Sequence, residues 1–476
     1  MSSWACEEIR EATGGRWLIE PDVLAIDFGG VAIDTRAIEK DQVFFAFVGE
    51  QVDGHAYLEQ AKQCGASMCV VSDADKVPDG FEIPALVVED MLGAITGLAN
   101  AWRAKFRARV IGVTGSNGKT TTCRLLHSVC AQSGLSVVSQ KSFNNQLGVP
   151  ITILNTPMDA EYLVAELGTS SPGEIEARTA LLQPEIAVIT SIGRAHLEEL
   201  GDQAGVAMEK SAIVRGLASG GYAVIPGGVV ELDAVLAGVE GSRRIERLVS
   251  DDLQITEQIE GSTKFVFDGE FFEVPMLGEH NARNSAMAIL VGRELGIDDA
   301  MIRDGLRTAQ GAAMRFERIE LPTAGEPIVV YNDAYNANPD SMRAAIGTFA
   351  GLSEGKRSVV VLGDMLELGN ESAEEHRAML EELLAKYDQF DQVVLVGHAF
   401  AQASEGLGTG GRFSVFPEHD QCTMQRIADG IGEGDRVLLK GSRGIKLERI
   451  VELLAQRFSA SRTPSVHTQS EANPHA

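Results

Sequence analysis

Short apolar runs alternate with amphipathic stretches along this chain, and the pattern divides it into successive segments. From about residue 15 to 105, Val43-Phe-Phe-Ala-Phe-Val48, Met68-Cys-Val-Val71 and Ala85-Leu-Val-Val88 read as strands, and His55 to Cys64 reads as a helix ended by Gly65. This predicts a small α/β domain over residues 1–106, closed by a helix from Leu92 to Phe106. Over residues 107–320 the strand-like runs Val110–Val113, Val137–Ser139, Tyr162–Ala165 and Ile186–Ser191 alternate with helical patterns, which implies a mostly parallel sheet covered by helices. Within it, Lys264 to Val274 carries a hairpin signal at Asp268-Gly269. A third alternating segment, 321–458, has strands at Ile328–Tyr331, Ser358–Leu362, Val393–Val396 and Val437–Leu439 and predicts a Rossmann-like sheet, although no Gly-x-Gly-x-x-Gly fingerprint accompanies it. The polar stretch 459–476 predicts a disordered tail. The fold class is therefore α/β in three domains.

Length and charge narrow the chemistry. A chain of 476 residues exceeds what one hydrophobic core organises. Its net charge of -27 is spread along the sequence, which argues against nucleic acid and anionic membranes as partners and requires any phosphate site to be local. The cysteines Cys6, Cys64, Cys69, Cys123, Cys130 and Cys422 form no Cys-x-x-Cys pair and read as reduced core thiols of a cytosolic protein. The N-terminus has no basic segment leading into an apolar one, and no run approaches the roughly 18 apolar residues of a membrane span, so a soluble, cytoplasmic protein is expected.

The strongest chemical signal is Gly115-Ser-Asn-Gly118-Lys119-Thr120-Thr121, set between the strand Val110–Val113 and a helix from Thr121 to Gln132. Turn glycines let the N–H groups from Gly115 to Thr121, Ser116 and Asn117 among them, converge on phosphate oxygens. The helix N-terminus adds partial positive charge, Lys119 reaches terminal phosphates, and Thr120 holds magnesium. The long form of the motif has glycine where Val113 stands here, so only the shorter Gly-x-x-Gly-Lys-Thr loop remains. The plain structural alternative is a glycine turn capping a helix with Lys119 solvated.

Two further strand ends point the same way. Tyr162-Leu-Val-Ala-Glu166 ends on a carboxylate, and the strand Ile186–Ser191 runs out to His196. In a parallel sheet both lie on the phosphate-loop edge, where Glu166 and His196 supply magnesium ligands. Taken singly, each reads as structural, Glu166 as a cap of the helix after Pro172 and His196 as a hydrogen-bonding residue; it is together, beside a phosphate loop, that they point to magnesium.

In their order along the chain these pieces resemble the Mur ligase family: Thr114 to Thr121, Asn144-Asn-Gln-Leu-Gly-Val-Pro150, Glu166 with Gly168-Thr-Ser, Ala195-His-Leu-Glu, Lys210, Gly278-Glu-His-Asn-Ala-Arg-Asn284 and Arg315. The resemblance covers all but the tail. It implies an N-terminal module for a UDP-linked substrate, a central ATPase domain and a C-terminal domain for the incoming amine. It further implies ATP and Mg2+, an acyl phosphate formed on the substrate carboxylate, nucleotide contacts from Asn281, Asn284 and Arg315, and a carbamylated Lys210 as a further metal ligand. From the residues alone, His280 and Asn281 read as caps of a helix running from Asn284 to Leu295.

Asp34-Thr35-Arg36, Phe45 and Asp53-Gly-His55 resemble the UDP-sugar module of the ligases for later peptide residues, a module that folate-polyglutamate ligases lack. Without that resemblance, Asp34 and Arg36 read as a surface ion pair. In the last domain, Tyr331-Asn-Asp333-Ala-Tyr-Asn336-Ala-Asn338-Pro-Asp-Ser341, Leu362-Gly-Asp364 onward and Lys440-Gly-Ser-Arg443-Gly444 resemble family members that add D-alanyl-D-alanine to UDP-N-acetylmuramoyl-tripeptide. The resemblance makes these two molecules the expected partners of a monomer, with Asp333, Asn336, Asn338, Asp364 and Arg443 on the amine side. An anion site for the dipeptide carboxylate fits Arg443, whereas Asn338 also reads as a helix cap before Pro339. The alternatives are another Mur or folylpolyglutamate-type ligase and, in a different class, a phosphate-loop kinase or nucleotide-gated binding protein.

Overall fold

The computed structural model describes residues 2–140, 143–239, 241–259, 261–353, 355–407 and 410–460. The N-terminal module has a five-stranded sheet in the order Arg16–Ile19, Ala85–Val87, Met68–Val71, Val43–Phe45, Val31–Ala32, with only the first pair antiparallel. The helix expected from His55 is instead a 3-10 turn, Gly54–Tyr57, followed by helix Leu58–Gln63. Asp53 accepts the His55 N–H and caps that tighter first turn.

This module is not separated from the central sheet. Trp4, Phe28 and Trp102 pack with ring centroids 4.5 to 4.8 Å apart, and their cluster runs without a break through Phe106 to Leu154 and Leu163. Two polar ties cross the same seam. The Trp102 indole N–H donates to Thr156 O at 2.9 Å, and the Asn155 amide pairs with both main-chain groups of Val31 at 2.7 and 3.1 Å. Residues up to Gln310 therefore form one compact unit around a shared core, apart from two short segments assigned to the second unit.

The central sheet runs Arg244–Leu248, Tyr222–Pro226, Ile186–Ile189, Arg109–Thr114, Tyr162–Glu166, Ser136–Val138, and every pair is parallel. From Arg109–Thr114 the chain goes first to one side and then to the other, so that strand marks a topological switch point. The loops after Thr114, Glu166 and Ile189 open at one carboxyl edge, where ligands of such sheets collect. The expected hairpin joins Ser262–Phe267 to Glu270–Val274 through Asp268 and Gly269, whose φ values of +51° and +76° give the left-handed pair such a turn requires.

The second unit contains the sheet Glu317–Leu321, Ile328–Asp333, Arg436–Lys440, Ser358–Gly363, Gln392–Val396, Phe413–Phe416. Its first pair is antiparallel. That pairing draws the chain from Gly311 onward into this unit, ahead of the boundary at residue 321 read from sequence. Helix Glu448–Ala460 extends past the expected start of the tail, and the disorder expected of 461–476 lies outside the described residues. Cys6, Cys69, Cys123 and Cys130 are buried, but Cys64 and Cys422 are exposed because they fall at a helix end and in a helix first turn, so they are not core thiols. Among the described residues no helix is long and apolar enough to cross a membrane.

Candidate functional site

The strand Arg109–Thr114 ends in a fully buried threonine, and a four-residue loop separates it from the helix Lys119–Cys130. Gly115 (φ +150°) and Gly118 (φ +84°) occupy positions that side chains resist. A Cβ on Gly115 would overlap Thr190 Oγ1, and one on Gly118 would lie 2.6 Å from Asn284 Oδ1. The loop is laced to the neighbouring strand end. Ser116 N–H donates to Ser191 O and Asn117 N–H to Ser191 Oγ, both at 2.9 Å, while Gly193 N–H donates to Ser116 Oγ at 2.9 Å. Lys119 folds back over the loop, its Nζ donating to Gly115 O at 2.7 Å and Ser116 O at 3.3 Å.

Behind the loop, Thr120 Oγ1 donates to Glu166 Oε2 at 2.8 Å, and Asn144 Nδ2 donates to Glu166 Oε1 at 2.7 Å. The Glu166 N–H is held by Ser139 Oγ at 3.0 Å. Glu166 is 2% exposed, so both of its oxygens are fixed in place by partners. Thr121, like Thr120, lies on the buried side of the same helix. The structure thus unites Lys119, Thr120 and Glu166 as the sequence predicts, and it adds Ser139, which nothing but its place at a strand end announces.

His196 is half-buried after the strand Ile186–Ile189, with a left-handed backbone (φ +57°), and its carbonyl accepts the Leu200 N–H at 3.0 Å. Lys210 lies on helix Gln203–Arg215 and is 1% exposed. Burial, reinforced by the charge of Lys119, pushes its amine well below the usual lysine range, against an opposing pull from Glu209.

A buried clamp that the sequence reading missed fixes the chain just after Glu166. Glu209 accepts Gly173 N–H at 2.7 Å and Ile175 N–H at 2.8 Å. Glu174 accepts Ser170 N–H at 2.8 Å and pairs with Arg178 at 2.9 Å, while Arg178 also donates to Gly168 O. Burial opposes ionisation of Glu174, but Arg178 and the amides of Ser170 and Ser171 outweigh it and hold the carboxyl at about 2. Glu174 opening a helix after Pro172-Gly173 was the available signal.

Asn281 and Asn284 are buried one turn apart, with Asn284 Nδ2 3.4 Å from Asn281 Oδ1. Their helix begins at Glu279, so His280 and Asn281 lie inside its first turn and are not its caps. Asn284 faces Gly118 of the phosphate loop.

In the N-terminal module, Asp34 pairs with Arg36 at 2.6 Å and caps the turn Thr35–Ala37; Arg36 is largely exposed and Thr35 buried. The Phe45 ring is fully buried in the core, which removes it from any ligand surface. His55 is buried, donating from Nδ1 to Asp53 Oδ1 at 2.7 Å and accepting the Ser72 and Asp73 amides on Nε2.

In the second unit, Arg315 stacks on Tyr335 at 4.1 Å. Asp333 Oδ1 accepts Phe316 N–H at 3.1 Å, and its Oδ2 lies 3.0 Å from Lys440 Nζ, which also donates to Asn336 O at 2.5 Å. Asn338 caps helix Pro339–Leu352 in a capping box with Ser341. The Asp364 carboxylate accepts the Ala399 and Phe400 amides at 2.9 Å. Arg443 is the exposed cation of this group, 3.2 Å from Glu448. The buried Lys440 was visible in sequence only as part of a motif. Among the described residues, no three His, Cys, Asp or Glu side chains gather into a metal site.

A glycine loop joining a buried strand to a helix, with lysine and threonine at the helix start and a carboxylate on the neighbouring strand end, defines a phosphate-loop nucleotide-binding enzyme. The chain belongs to the Mur ligase family: residues 27–111 match the "Mur ligase family, catalytic domain", 113–292 the "Mur ligase middle domain" and 314–443 the "Mur ligase, glutamate ligase domain". It is 36% identical to the UDP-N-acetylmuramoyl-tripeptide--D-alanyl-D-alanine ligase of Bacillus subtilis, covering 90% of this chain and 93% of that protein. The ligase of the same name from Escherichia coli is 31% identical, with 90% and 94% covered. Among solved structures, MurF from Acinetobacter baumannii is 30% identical with a TM-score of 0.79, covering 96% of this chain and 99% of that one. The three domains of that architecture are present here, the first two fused around one core.

Proposed function

We propose that this chain is a cytoplasmic, ATP- and magnesium-dependent ligase that joins D-alanyl-D-alanine to UDP-N-acetylmuramoyl-tripeptide. The observation that carries this reading is the identity of 36% to a ligase of that name over 90% of the chain, with the phosphate loop intact inside the matched region. A carboxylate acylates an amine only after activation. Transfer of the terminal phosphoryl group of ATP to the tripeptide carboxylate leaves ADP, the dipeptide amine then attacks the acyl carbon, and phosphate departs with its oxygen.

The loop from Gly115 to Thr121 cradles the phosphates with the N–H groups at the start of its helix, while the Ser116 and Asn117 N–H groups, engaged by Ser191, hold the loop in shape. Lys119 exchanges its two loop carbonyls for the transferring group. Thr120 and Glu166 present hard oxygens 2.8 Å apart, a donor set that suits magnesium completed by phosphate oxygens. With His196 and a carbamylated Lys210 they would hold the metal, which supplies charge neutralisation for the transfer. The depressed basicity of Lys210 favours the free amine that carbon dioxide requires. Asn281, Asn284 and Arg315 are assigned to the nucleotide.

Asp34, Thr35, Arg36, Asp53 and His55 shape the surface for the UDP substrate, with His55 and Asp53 acting by fixing the loop. On the amine side Arg443 receives the dipeptide carboxylate. Asp333, Asn336, Asn338 and Asp364, all engaged with the protein itself, hold the surrounding loops. The chain acts as a monomer with no nucleic-acid partner.

The test is a matrix of UDP-muramoyl peptides and amines supplied with ATP and magnesium. Tripeptide with D-alanyl-D-alanine is expected to give the fastest amide formation. A preferred single amino acid, or phosphate release without amide, would reject the reading in favour of another Mur ligase or a kinase-like activity.

A further inference from the structure

Arg315 is mounted in an unusual way. The residues on both sides of it, Met314 (φ +57°) and Phe316 (φ +54°), have left-handed backbones, a conformation that bulky side chains avoid and that persists only where surroundings enforce it. The enforcing contacts are all present. Met314 N–H donates to Glu317 Oε2 at 2.9 Å and Met314 O accepts the Tyr335 N–H at 3.3 Å. Phe316 N–H donates to Asp333 Oδ1 at 3.1 Å, Asp333 is itself gripped by Lys440, and the Phe316 ring packs on Tyr331 at 5.4 Å. Between these anchored neighbours the Arg315 guanidinium lies 4.1 Å from the centre of the Tyr335 ring.

We propose that Tyr335 is a positioning residue for the ligation reaction, fixing the direction of the Arg315 guanidinium for the nucleotide phosphates. The inference rests on the assignment of Arg315 to the nucleotide. The strained backbone sets where the side chain leaves the main chain, but an arginine side chain has several rotatable bonds beyond that point. The flat ring restricts them. It acts through the ring quadrupole, which leaves all of the guanidinium N–H groups available for phosphate. An acidic partner would occupy those donors and cancel the charge, so an aromatic mount is the arrangement that orients the cation without spending it.

The test compares Tyr335→Leu and Tyr335→Phe in the full-length enzyme, each alone and combined with Arg315→Ala, reading the KM for ATP, the KM for the dipeptide and kcat. Tyr335→Leu is expected to raise the ATP KM or lower kcat by about tenfold, ~1.4 kcal/mol, with the dipeptide KM unchanged. Tyr335→Phe keeps the ring and is expected to restore ATP use. In the Arg315→Ala background Tyr335→Leu is expected to have no further effect on ATP use, because the residue it acts through is gone. Tyr335→Met serves if the leucine variant melts early. An impaired Arg315→Ala with normal ATP use in Tyr335→Leu overturns this inference alone, as does a full Tyr335→Leu effect in the double variant. Wild-type ATP dependence in Arg315→Ala overturns the nucleotide assignment and the inference with it.

Discussion

Thr120 Oγ1, in the first turn of the helix after the phosphate loop, donates to Glu166 Oε2 at the end of the neighbouring strand at 2.8 Å, with Asn144 holding the other carboxylate oxygen at 2.7 Å. A carboxylate held from both sides and 2% exposed has a fixed orientation. Glu166→Ala is therefore expected to shift magnesium dependence to higher concentration and to cut acyl-phosphate formation by about a hundredfold or more. Isothermal titration of magnesium in the presence of a nucleotide checks the metal, and a wild-type titration curve would remove Glu166 from the ligand set. His196→Ala is expected to show the same shift in smaller measure.

Lys119→Ala removes the charge proposed to serve the terminal phosphates and takes away its hydrogen bonds to the Gly115 and Ser116 carbonyls. Turnover is expected to fall by about three orders of magnitude or more, with a stability change near ~1 kcal/mol. Steady-state rates and a thermal melt on the same preparation separate the two. A folded variant with ordinary turnover would contradict the phosphate-loop assignment.

Lys210 is expected to carry a carbamate. Its buried, weakly basic amine attacks carbon dioxide, a nitrogen–carbon bond forms and a proton is lost, which turns a cation into an oxygen ligand. Mass spectrometry under native conditions, or carbon-13 NMR with labelled bicarbonate, reads the adduct directly. Lys210→Ala is expected to be inactive and to regain part of its activity with short carboxylic acids. An unmodified lysine in active enzyme is the contrary result.

Glu174 gives a pH prediction with a definite sign. Its folded value of about 2 lies below the ordinary 4.5, so ionised Glu174 stabilises the folded state above the unfolded value, and that stabilisation is lost as pH falls toward 2. Glu174→Gln is expected to cost roughly 1–3 kcal/mol near neutral pH, and the deficit relative to wild type should shrink below about pH 4. Denaturant midpoints measured across that range provide the check. A deficit independent of pH would mean that the carboxylate charge does not contribute.

Some of this was legible in the sequence because the chemistry is local. Gly115 to Thr121 is a single turn, so the residues that make the loop are neighbours in the chain, and Glu166 is announced by ending an apolar run. Ser139 and Glu209 were not legible, because each acts on a segment that only the tertiary fold brings to it. Phe45 misled for the opposite reason. An aromatic next to a loop looks like a ligand surface in one dimension, whereas this strand is covered on both faces, so the Phe45 ring packs into one core and Phe44 into another. The early start of the second unit depends on the antiparallel partner of Glu317–Leu321, which no local pattern identifies.

The seam formed by Trp4, Phe28 and Trp102 makes the N-terminal module a bad candidate for exchange. Cut at Phe106, the first piece would keep these rings but lose Leu154, Leu163 and the Thr156 carbonyl that complete their surroundings, while the remainder would expose an oily scar. A lineage changing what this module recognises cannot simply graft a foreign front end onto the central sheet. It must rework the outward-facing loops in place, leaving the buried joint untouched, so variation between descendants should concentrate on the side of the module farthest from those three rings.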